Sequence, residues 1–385
     1  MNVTQITSAR FHHFHLARQM ERLGILDKIW SGYPRFKLTD EQGIPPNKLN
    51  TYPWICTPYM MRGKLGLGKY NWLNKEWAYL VAETLDRHVS KHINHPTILI
   101  GLSGCGLISG KRAKDNGGYY ICDRGSTHIR FQDEILHEEY KRWGLKFIGV
   151  DPRVINKEEA EYFLADKITV PSEFVKKSFI QMGVPVNKIE KVNYGARIDR
   201  FKKVADPPDD VFRVLWVGGV TIRKGFFDLL EAFKLFKHPK KELVVVGSVA
   251  QEIKNLLIYH SIEGVIFKGI VPNKDLGYLY STSHVFVLPS IEEGLALVQG
   301  EALACGCPII ATYNSGSEDL FDNGVEGFII PIRSPMIIAE KLQELADDEY
   351  LRVKMSIAGQ EKVKKINGWD NYGNNFKKII DSLSI

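Results

Sequence analysis

The sequence predicts an α/β protein built from two doubly wound parallel sheets. Short apolar runs alternate with amphipathic helical stretches along the chain, which favours parallel strands with helices on both faces. The 385 residues exceed one ordinary core and suit two domains. The segment 206–210, Asp-Pro-Pro-Asp-Asp, breaks both periodicities, so a boundary is expected between residues 197 and 210.

Two sets of strand candidates follow from this alternation. The first set is Val3–Thr7, Thr97–Leu102, Tyr119–Cys122, Lys146–Val150, Lys167–Val170 and Ile189–Asn193. The second set is Val211–Val217, Glu242–Val246, Val265–Lys268, Val285–Leu288, Pro308–Ala311 and Gly327–Ile330. Helical periods separate most of them, as in Phe226–Phe236 and Met336–Leu345. Ligands of such sheets bind beyond the carboxyl ends of the strands, so two facing domains predict a site in the cleft between them.

Composition narrows the class of protein. Hydrophobic residues make up 44% of the chain and charged residues 25%, which is typical of a globular protein. The sequence has no run of eighteen apolar residues and no basic-then-apolar leader, so we expect neither a membrane span nor a signal peptide. The five cysteines lack metal-binding spacing and are interpreted as reduced thiols of a cytoplasmic protein.

The net charge of +6 is unevenly distributed. Residues 1–195 contain 28 Lys and Arg against 20 Asp and Glu. Four bases and no acid lie between Pro58 and Lys75, interleaved with aromatic and methionine residues. One interpretation of this segment is a surface that contacts a membrane or an anionic acceptor. The other is a solvated loop whose aromatic residues anchor it to the core. No recognition motif accompanies the charge, so we expect no nucleic acid partner.

Two carboxylates eight positions apart, Glu293 and Glu301, dominate the second half. A buried strand candidate, Val285–Leu288, precedes them, and a short helical run contains the second. Unpaired amides at the start of such a helix attract an anion. Carboxylates would repel a phosphate, but they suit hydroxyl groups on either side of it. The pattern therefore favours a nucleotide sugar, which has hydroxyls on both sides of its diphosphate.

A glycine-containing loop opens the same half. A strand ends at Gly218-Gly219, and Arg223 and Lys224 follow before the helix Phe226–Phe236. Glycine permits close backbone approach, and the two cations would neutralise a diphosphate. The alternative interpretation is a tight turn with a solvated basic pair.

The first half has less regular candidates. Arg10 follows the first strand, where it would face the cleft on the acceptor side. Of His12, His13 and His15, His12 is the preferred site residue because the other two fit the following helix, and a structural role is the alternative for each. A second loop carries Asp123, Arg124, Ser126 and His128 beyond the strand ending at Cys122. The alternative for this loop is a turn in which Ser126 or Thr127 caps the following helix. No metal-ligand pattern is present, so no metal is expected.

Together these motifs resemble the retaining glycosyltransferases of family four, which have the GT-B fold. The resemblance rests on Gly218 to Gly225 with Lys224, on Pro289-Ser290, on Glu293 to Glu301, and on Ala304 to Pro308. It extends to Ala165–Ser172, Asn193–Phe201 and Phe267–Tyr280. The resemblance is specific over residues 120–385 and weaker over residues 1–120. It implies an acceptor-side domain at 1–197, a donor-binding domain at 198–366, and a C-terminal helix at 367–385 that packs back on the first domain.

The resemblance also implies roles for individual residues. Glu301 would hold the ribose hydroxyls, Glu293 would contact the transferred sugar, and Lys224 the diphosphate. His128 looks like the family histidine that reaches the sugar, with Asp123 and Arg124 orienting it or binding acceptor. Where the family usually has an arginine, this chain has Gly219, and Arg223 is the candidate replacement. The remaining donor-binding candidates are Gly269, Gly294, Leu295, Ala296, Leu297 and Val298.

The function implied is transfer of a sugar, with retention, from a UDP- or GDP-sugar to a glycan or lipid-linked acceptor in polysaccharide or glycolipid biosynthesis. No cofactor is expected. Two alternatives stay open, an epimerase of GT-B fold and a non-catalytic nucleotide-sugar-binding protein. A dehydrogenase fits less well, because Gly218-Gly219 lacks the full Gly-x-Gly-x-x-Gly pattern.

Overall fold

The computed structural model describes residues 1–195, 200–365 and 368–383, with Phe11 described by its backbone only. Seven strands of this part form the first parallel sheet: β1 (Val3–Thr7), β2 (Leu26–Ser31), β3 (Leu49–Thr51), β4 (Ile98–Leu102), β5 (Tyr119–Asp123), β6 (Lys167–Val170) and β7 (Ile189–Lys191). Their order is β3-β2-β1-β4-β5-β6-β7. Strands β2 and β3 are added on one side of β1 and strands β4 to β7 on the other, so the strand order reverses between β1 and β4. This is the doubly wound topology, whose ligands bind at the reversal point.

Six described strands form the second parallel sheet: β8 (Phe212–Val217), β9 (Lys241–Val246), β10 (Val265–Gly269), β11 (Val285–Leu288), β12 (Ile309–Thr312) and β13 (Gly327–Ile330). Their order, β10-β9-β8-β11-β12-β13, reverses between β8 and β11. The predicted fold class of two doubly wound parallel sheets is confirmed. The predicted boundaries at 197/198 and 366/367 fall on or next to residues outside the described part.

Helices cover both sheets. In the first half they are α1 (Phe11–Arg22), α2 (Cys56–Met61), α3 (Asn71–Ser90), α4 (Leu107–Asp115), α5 (Ile129–Arg142), α6 (Pro152–Leu164) and α7 (Glu173–Gln181). In the second they are α8 (Phe226–Leu235), α9 (Gln251–Leu257), α10 (Asn273–Ser281), α11 (Val298–Ala304), α12 (Pro335–Asp347), α13 (Glu349–Lys364) and α14 (Trp369–Leu383). None of the described helices combines the length and apolar character that crossing a membrane requires.

The strand predicted at Lys146–Val150 is wrong. This segment is an irregular connection from α5 to α6. Gly149 has a φ of +75°, and the Val150 amide donates to the Asp133 carboxylate. Phe147 packs its ring 4.8 Å from that of Tyr140 on α5. The apolar residues therefore cover a helix instead of joining the sheet.

Two strands, β2 and β3, were not predicted. Asp27 and Lys28 interrupt the apolar run of β2 and are only half-buried. The strand is nevertheless buried at Ile29 and Trp30, because β1 and β3 flank it. Pairing with neighbours distant in the chain creates this environment, so local periodicity could not indicate it.

The last helix packs against the first one. Trp369 of α14 stacks on His15 of α1, with ring centroids 3.8 Å apart. Arg22 of α1 donates to the Asn374 side chain at 2.8 Å. A Cβ at Gly373 would lie 2.4 Å from that of Gln19, so only glycine permits this approach. Helix α14 thus lies on the first sheet's layer of helices.

Candidate active site

Two loops at the carboxyl edge of the second sheet form one half of the site. The loop after β8 passes Gly218 and Gly219 into a 3-10 turn, Ile222–Lys224. Gly225 follows with a φ of +71°, and a Cβ there would lie 2.0 Å from the Pro289 carbonyl oxygen. This glycine lets the β8 loop pack directly on the loop that follows β11, which carries Glu293. The two loops meet at the reversal point of the sheet.

Both cations of the β8 loop face Glu293. Lys224 forms an ion pair with the Glu293 Oε1, and Arg223 NH1 lies 3.2 Å from the same oxygen. Arg223 also donates to the Glu292 carbonyl oxygen at 2.7 Å. Burial by itself would lower the pKa of Arg223, but the carboxylates of Glu293 and Glu292 raise it above its ordinary value. The structure therefore brings the predicted residues Glu293, Lys224 and Arg223 together.

Some backbone amides between Glu293 and Glu301 donate hydrogen bonds within the protein, and others do not. The Glu293 amide donates to the Asn314 carbonyl at 3.0 Å, and the Ala296 amide donates to the Ser315 carbonyl at 3.2 Å. Within the described part of the chain, the amides of Leu297 and Val298 have no acceptor. Leu295 and Ala296 are buried, so their side chains anchor the loop. The free amides lie between the two glutamates, where a ligand oxygen could accept from them.

Glu301 lies in the first turn of α11. Tyr280 donates its hydroxyl to the Glu301 carboxylate at 3.1 Å. Burial raises the pKa of Glu301 to about 7. Tyr280 is the one donor to this carboxylate among the described residues, which leaves other lone pairs for ligand hydroxyl groups.

Gly219 and Gly269 adjoin the same edge of the sheet. Gly219 lies in the β8 loop and Gly269 ends β10, and neither has a heavy atom near the position of a Cβ. Both predicted donor-binding glycines therefore leave open space. Their predicted contacts with a donor stay predictions.

Glu292, which the sequence analysis did not select, joins the two halves of the molecule. It is fully buried and accepts from Ser126 Oγ at 2.5 Å, the Thr127 amide at 3.1 Å and Gln132 Nε2 at 2.9 Å. Burial alone would raise the pKa of Glu292, but Arg223 and these donors hold it below its ordinary value. The position of Glu292 next to Glu293 was the one local indication of a role in the site. Its hydrogen-bond partners lie about 160 residues away along the chain, so the sequence did not indicate them.

Backbone packing reinforces this contact. A Cβ at Gly294 would lie 1.9 Å from the Gly125 carbonyl oxygen. Ser172, just after β6, donates its hydroxyl to the Gly294 carbonyl at 2.6 Å. The loop after β5 and the loop after β11 therefore touch directly. Gly294 and Ser126, both predicted site residues, lie at this contact.

Asp123 has different partners from those predicted. His12 Nε2 lies 2.7 Å and His13 Nε2 3.1 Å from its Oδ2 atom, and Thr169 donates to Oδ1 at 2.7 Å. Although burial opposes it, His12 and His13 lower the pKa of Asp123 well below its ordinary value. The prediction that Asp123 orients His128 is therefore wrong. The cluster lies beside the site, because a Cβ at Gly125 would be 3.4 Å from the His12 ring.

Among the described residues, His12, His13 and Asp123 form the cluster whose side chains could hold a metal ion. Their possible ligand atoms all lie within 4.8 Å of one another, and all three residues are buried. The contact of 2.7 Å between His12 and Asp123 is a hydrogen bond, shorter than the spacing of two ligands around zinc. The expectation that the protein needs no metal stays a prediction.

His128 packs inside the first domain. Its ring lies between Tyr162 and Phe179, with centroid distances of 4.9 and 5.1 Å. His128 itself is the N-cap of α5, accepting from the Arg130 amide, so neither Ser126 nor Thr127 has that role. Burial lowers the pKa of His128 to about 4, so its ring is neutral near pH 7. The structure does not bring His128 to Glu293, and its catalytic role stays a prediction.

The two predicted acceptor-side arginines are held by acids of their own domain. Arg10 binds Asp40 and Glu41 at 2.8 and 2.7 Å. Arg124 is partly buried and pairs with Glu158 at 2.8 Å while donating to the Thr127 carbonyl. Arg124 therefore shapes the loop that carries Ser126 and Thr127. Binding of acceptor by either arginine stays a prediction.

Comparisons with known proteins find relatives in sequence and in fold. Residues 197–362 match the model of the family "Glycosyl transferases group 1". The capsular polysaccharide biosynthesis glycosyltransferase CapM of Staphylococcus aureus is 29% identical over 227 residues, which cover 54% of this chain and 59% of CapM. The amylovoran biosynthesis glycosyltransferase AmsK of Erwinia amylovora is 24% identical over 54% of both chains. The alignments thus span little more than half the length of these curated relatives.

Solved structures match over nearly the whole chain. Sucrose-phosphate synthase from Thermosynechococcus elongatus has a TM-score of 0.74 at 18% identity, covering 100% of this chain and 99% of that one. Anabaena HepE, solved in complex with UDP, has a TM-score of 0.71 at 15% identity, covering 99% and 100%. These identities establish the fold alone. The chain has the GT-B fold, and its second half matches the group 1 glycosyl transferases in sequence.

Proposed function

We propose that this protein is a retaining glycosyltransferase of family four. It moves a sugar from a nucleoside-diphosphate sugar to an acceptor hydroxyl in polysaccharide or glycolipid biosynthesis. One observation carries the proposal. Glu293 and Glu301 flank a run that contains the uncommitted amides of Leu297 and Val298, while Lys224 and Arg223 face Glu293 from the neighbouring loop. The match of residues 197–362 to group 1 glycosyl transferases supports it.

The donor would bind along this run. Glu301 accepts hydrogen bonds from the ribose hydroxyls, and the amides of Leu297 and Val298 donate to the diphosphate. Lys224 exchanges its ion pair with Glu293 for the diphosphate, which frees Glu293 to accept from the hydroxyls of the transferred sugar. Arg223 supplies a second positive charge. It replaces the arginine that the family usually has at the position of Gly219.

The chemistry follows from this placement. The bond between the anomeric carbon and the diphosphate oxygen breaks, and its electron pair goes to the leaving diphosphate. Lys224, Arg223 and the loop amides stabilise that charge, so we propose that no metal or other cofactor is required. The acceptor oxygen attacks the same face of the sugar, and its proton passes to the leaving phosphate. The contact between the loops carrying Gly125 and Gly294 excludes water from the reacting carbon.

The test combines binding, turnover and product analysis. Glu301→Ala should lose UDP or GDP binding in a thermal-shift assay, and Lys224→Ala should lower the transfer rate about 10²–10³-fold. Glu361→Ala, which removes an exposed carboxylate that pairs with Lys364, should retain both. Transfer should persist in EDTA. Turnover of both site variants at the wild-type rate would refute the proposal.

Product analysis separates the alternatives. A new glycosidic bond of the donor's anomeric configuration supports the retaining transferase. An isomerised donor without a new bond would indicate an epimerase. Binding without turnover against any acceptor would indicate a nucleotide-sugar-binding protein.

A further inference from the structure

An unusually apolar surface lies in the first half of the chain, far along the sequence from the donor loops. Residues 54–72, which we name the 54–72 surface, include Trp54, exposed by 74%, and Trp72, exposed by 70%. Four further large apolar side chains on it are exposed, namely Met60, Met61, Leu65 and Tyr70. Single exposed apolar residues are ordinary, but six in one short segment indicate an interaction site.

The backbone of this surface explains its exposure. The short helix α2 ends at Met61, and Gly63, Gly66 and Gly68 follow. Gly66 has a φ of +70°, which turns the chain and leaves Leu65 pointing into solvent. Helix α3 then begins at Asn71 and places Trp72 in its first turn. The exposed apolar side chains are therefore spread over α2, the first turn of α3 and the segments that precede and connect these helices.

The charge of the surface is entirely positive. Between Pro58 and Lys75 the chain has four bases and no acid. Lys64 and Lys69 are exposed and have no carboxylate partner in the described part of the chain. Lys69 lies 5.2 Å from the Tyr70 ring. Lysines beside exposed tryptophan and tyrosine suit an interface where apolar groups enter acyl chains and ammonium groups meet lipid phosphates.

The surface begins at the same edge of the first sheet as the candidate site. Cys56 starts α2, and a Cβ at Gly32 would lie 3.7 Å from both Cys56 and Ser8. Ser8 directly follows β1 and Gly32 directly follows β2, at the carboxyl ends of these strands. Asp123 ends β5 at that edge too. A bilayer against the 54–72 surface would thus flank the acceptor side of the cleft.

A second copy of the chain fits the surface less well than a bilayer. In a two-fold contact the same patch meets itself, so Lys64 and Lys69 of both copies would be brought together without acids. An anionic bilayer removes this repulsion and covers the apolar groups. We propose that the 54–72 surface docks the protein on a bilayer containing anionic lipids. Trp54, Leu65 and Trp72 enter the headgroup region, and Lys64 and Lys69 contact lipid phosphates.

The experiment is co-sedimentation of the full chain with vesicles, which needs no substrate and does not depend on the proposed transfer reaction. The wild-type protein should pellet with phosphatidylcholine vesicles that contain phosphatidylglycerol, and high salt should release it. Lys64→Gln with Lys69→Gln should weaken this partitioning about thirtyfold, because each base near an anionic surface contributes about 1 kcal/mol. Trp54→Ser with Trp72→Ser should abolish it.

A matched control uses Tyr259→Ser with Ile270→Ser. These side chains are exposed by 78% and 82% but lie in the second half of the chain, so the control should bind vesicles as the wild type does. Thermal unfolding of each variant establishes that it is folded. The proposal is overturned if the wild type stays in the supernatant with anionic vesicles at low salt. It is also overturned if both double variants bind like the wild type, or if the surface instead mediates a dimer that these variants dissociate.

Discussion

Glu301 and Glu293 are both carboxylates in one motif, but their surroundings differ. Two cations face Glu293, whereas Glu301 has the Tyr280 hydroxyl as its neighbour. Burial therefore raises the pKa of Glu301 to about 7. The protonation of Glu301 changes near physiological pH, so pH should control how well it accepts hydrogen bonds.

This predicts pH-dependent donor binding. If ionised Glu301 accepts the ribose hydroxyls, UDP affinity should rise about tenfold between roughly pH 6 and pH 8, because about one tenth of the groups are ionised one unit below the pKa. The folded-state pKa exceeds the ordinary value of 4.5, so for the unliganded protein this group makes the unfolding free energy fall as pH rises through this interval. Calorimetric titration of UDP at several pH values measures the effect.

Glu301→Gln serves as the control for this prediction. The amide keeps the size of the side chain but cannot ionise, so its weaker binding should be independent of pH. The same slope in Glu301→Gln and in the wild type would show that another group titrates.

At the scale of elements, contact between two loops assembles the site. The loop after β5 carries Gly125 and Ser126, and the loop after β11 carries Glu292 and Gly294. The Gly294 position is sterically closed, since a Cβ would lie 1.9 Å from the Gly125 oxygen. Any side chain at 294 must separate the loops and weaken the hydrogen bonds that Glu292 accepts.

We therefore expect Gly294→Ala to lower kcat about a hundredfold, because a displacement of about 1 Å in a catalytic site has effects of this size. UDP binding should change much less, since the loop after β8 and Glu301 stay in place. Steady-state kinetics and UDP titration measure the two effects separately.

Gly277→Ala is the matched control, because the nearest atom to a Cβ there is 4.0 Å away. It lies on α10, where alanine is a better helix former than glycine. A wild-type kcat in Gly294→Ala would mean that the observed loop contact is dispensable for turnover.

For the whole molecule, contacts between residues far apart in the chain unite the two halves. Arg142 on α5 pairs with Asp228 on α8 at 2.6 Å. Asp319 accepts from the Glu173 amide at 2.7 Å and from Asn193 at 3.0 Å. Helix α14 adds an apolar contact with α1, in which Tyr372 and Phe376 are buried. The last helix should therefore matter for stability.

Phe376→Ala should lower the free energy of unfolding by about 3–5 kcal/mol, because the side chain is fully buried and its removal leaves a cavity. Denaturant unfolding followed by circular dichroism measures this change. Tyr350→Ala is the control, since Tyr350 is exposed by 79% and should change stability little. Equal stability of the two variants would show that α14 contributes little to the folded state.

The sequence by itself determined the fold class, most strands and the grouping of Glu293 with Arg223 and Lys224. These features are encoded by local periodicity and by motifs within a few residues of each strand end, where parallel topology brings consecutive loops to one edge. Only the tertiary structure decided the partners of Asp123, the burial of Glu292 and the position of His128. Each depends on contacts between segments distant in the chain, and spacing along one strand or helix carries no information about them.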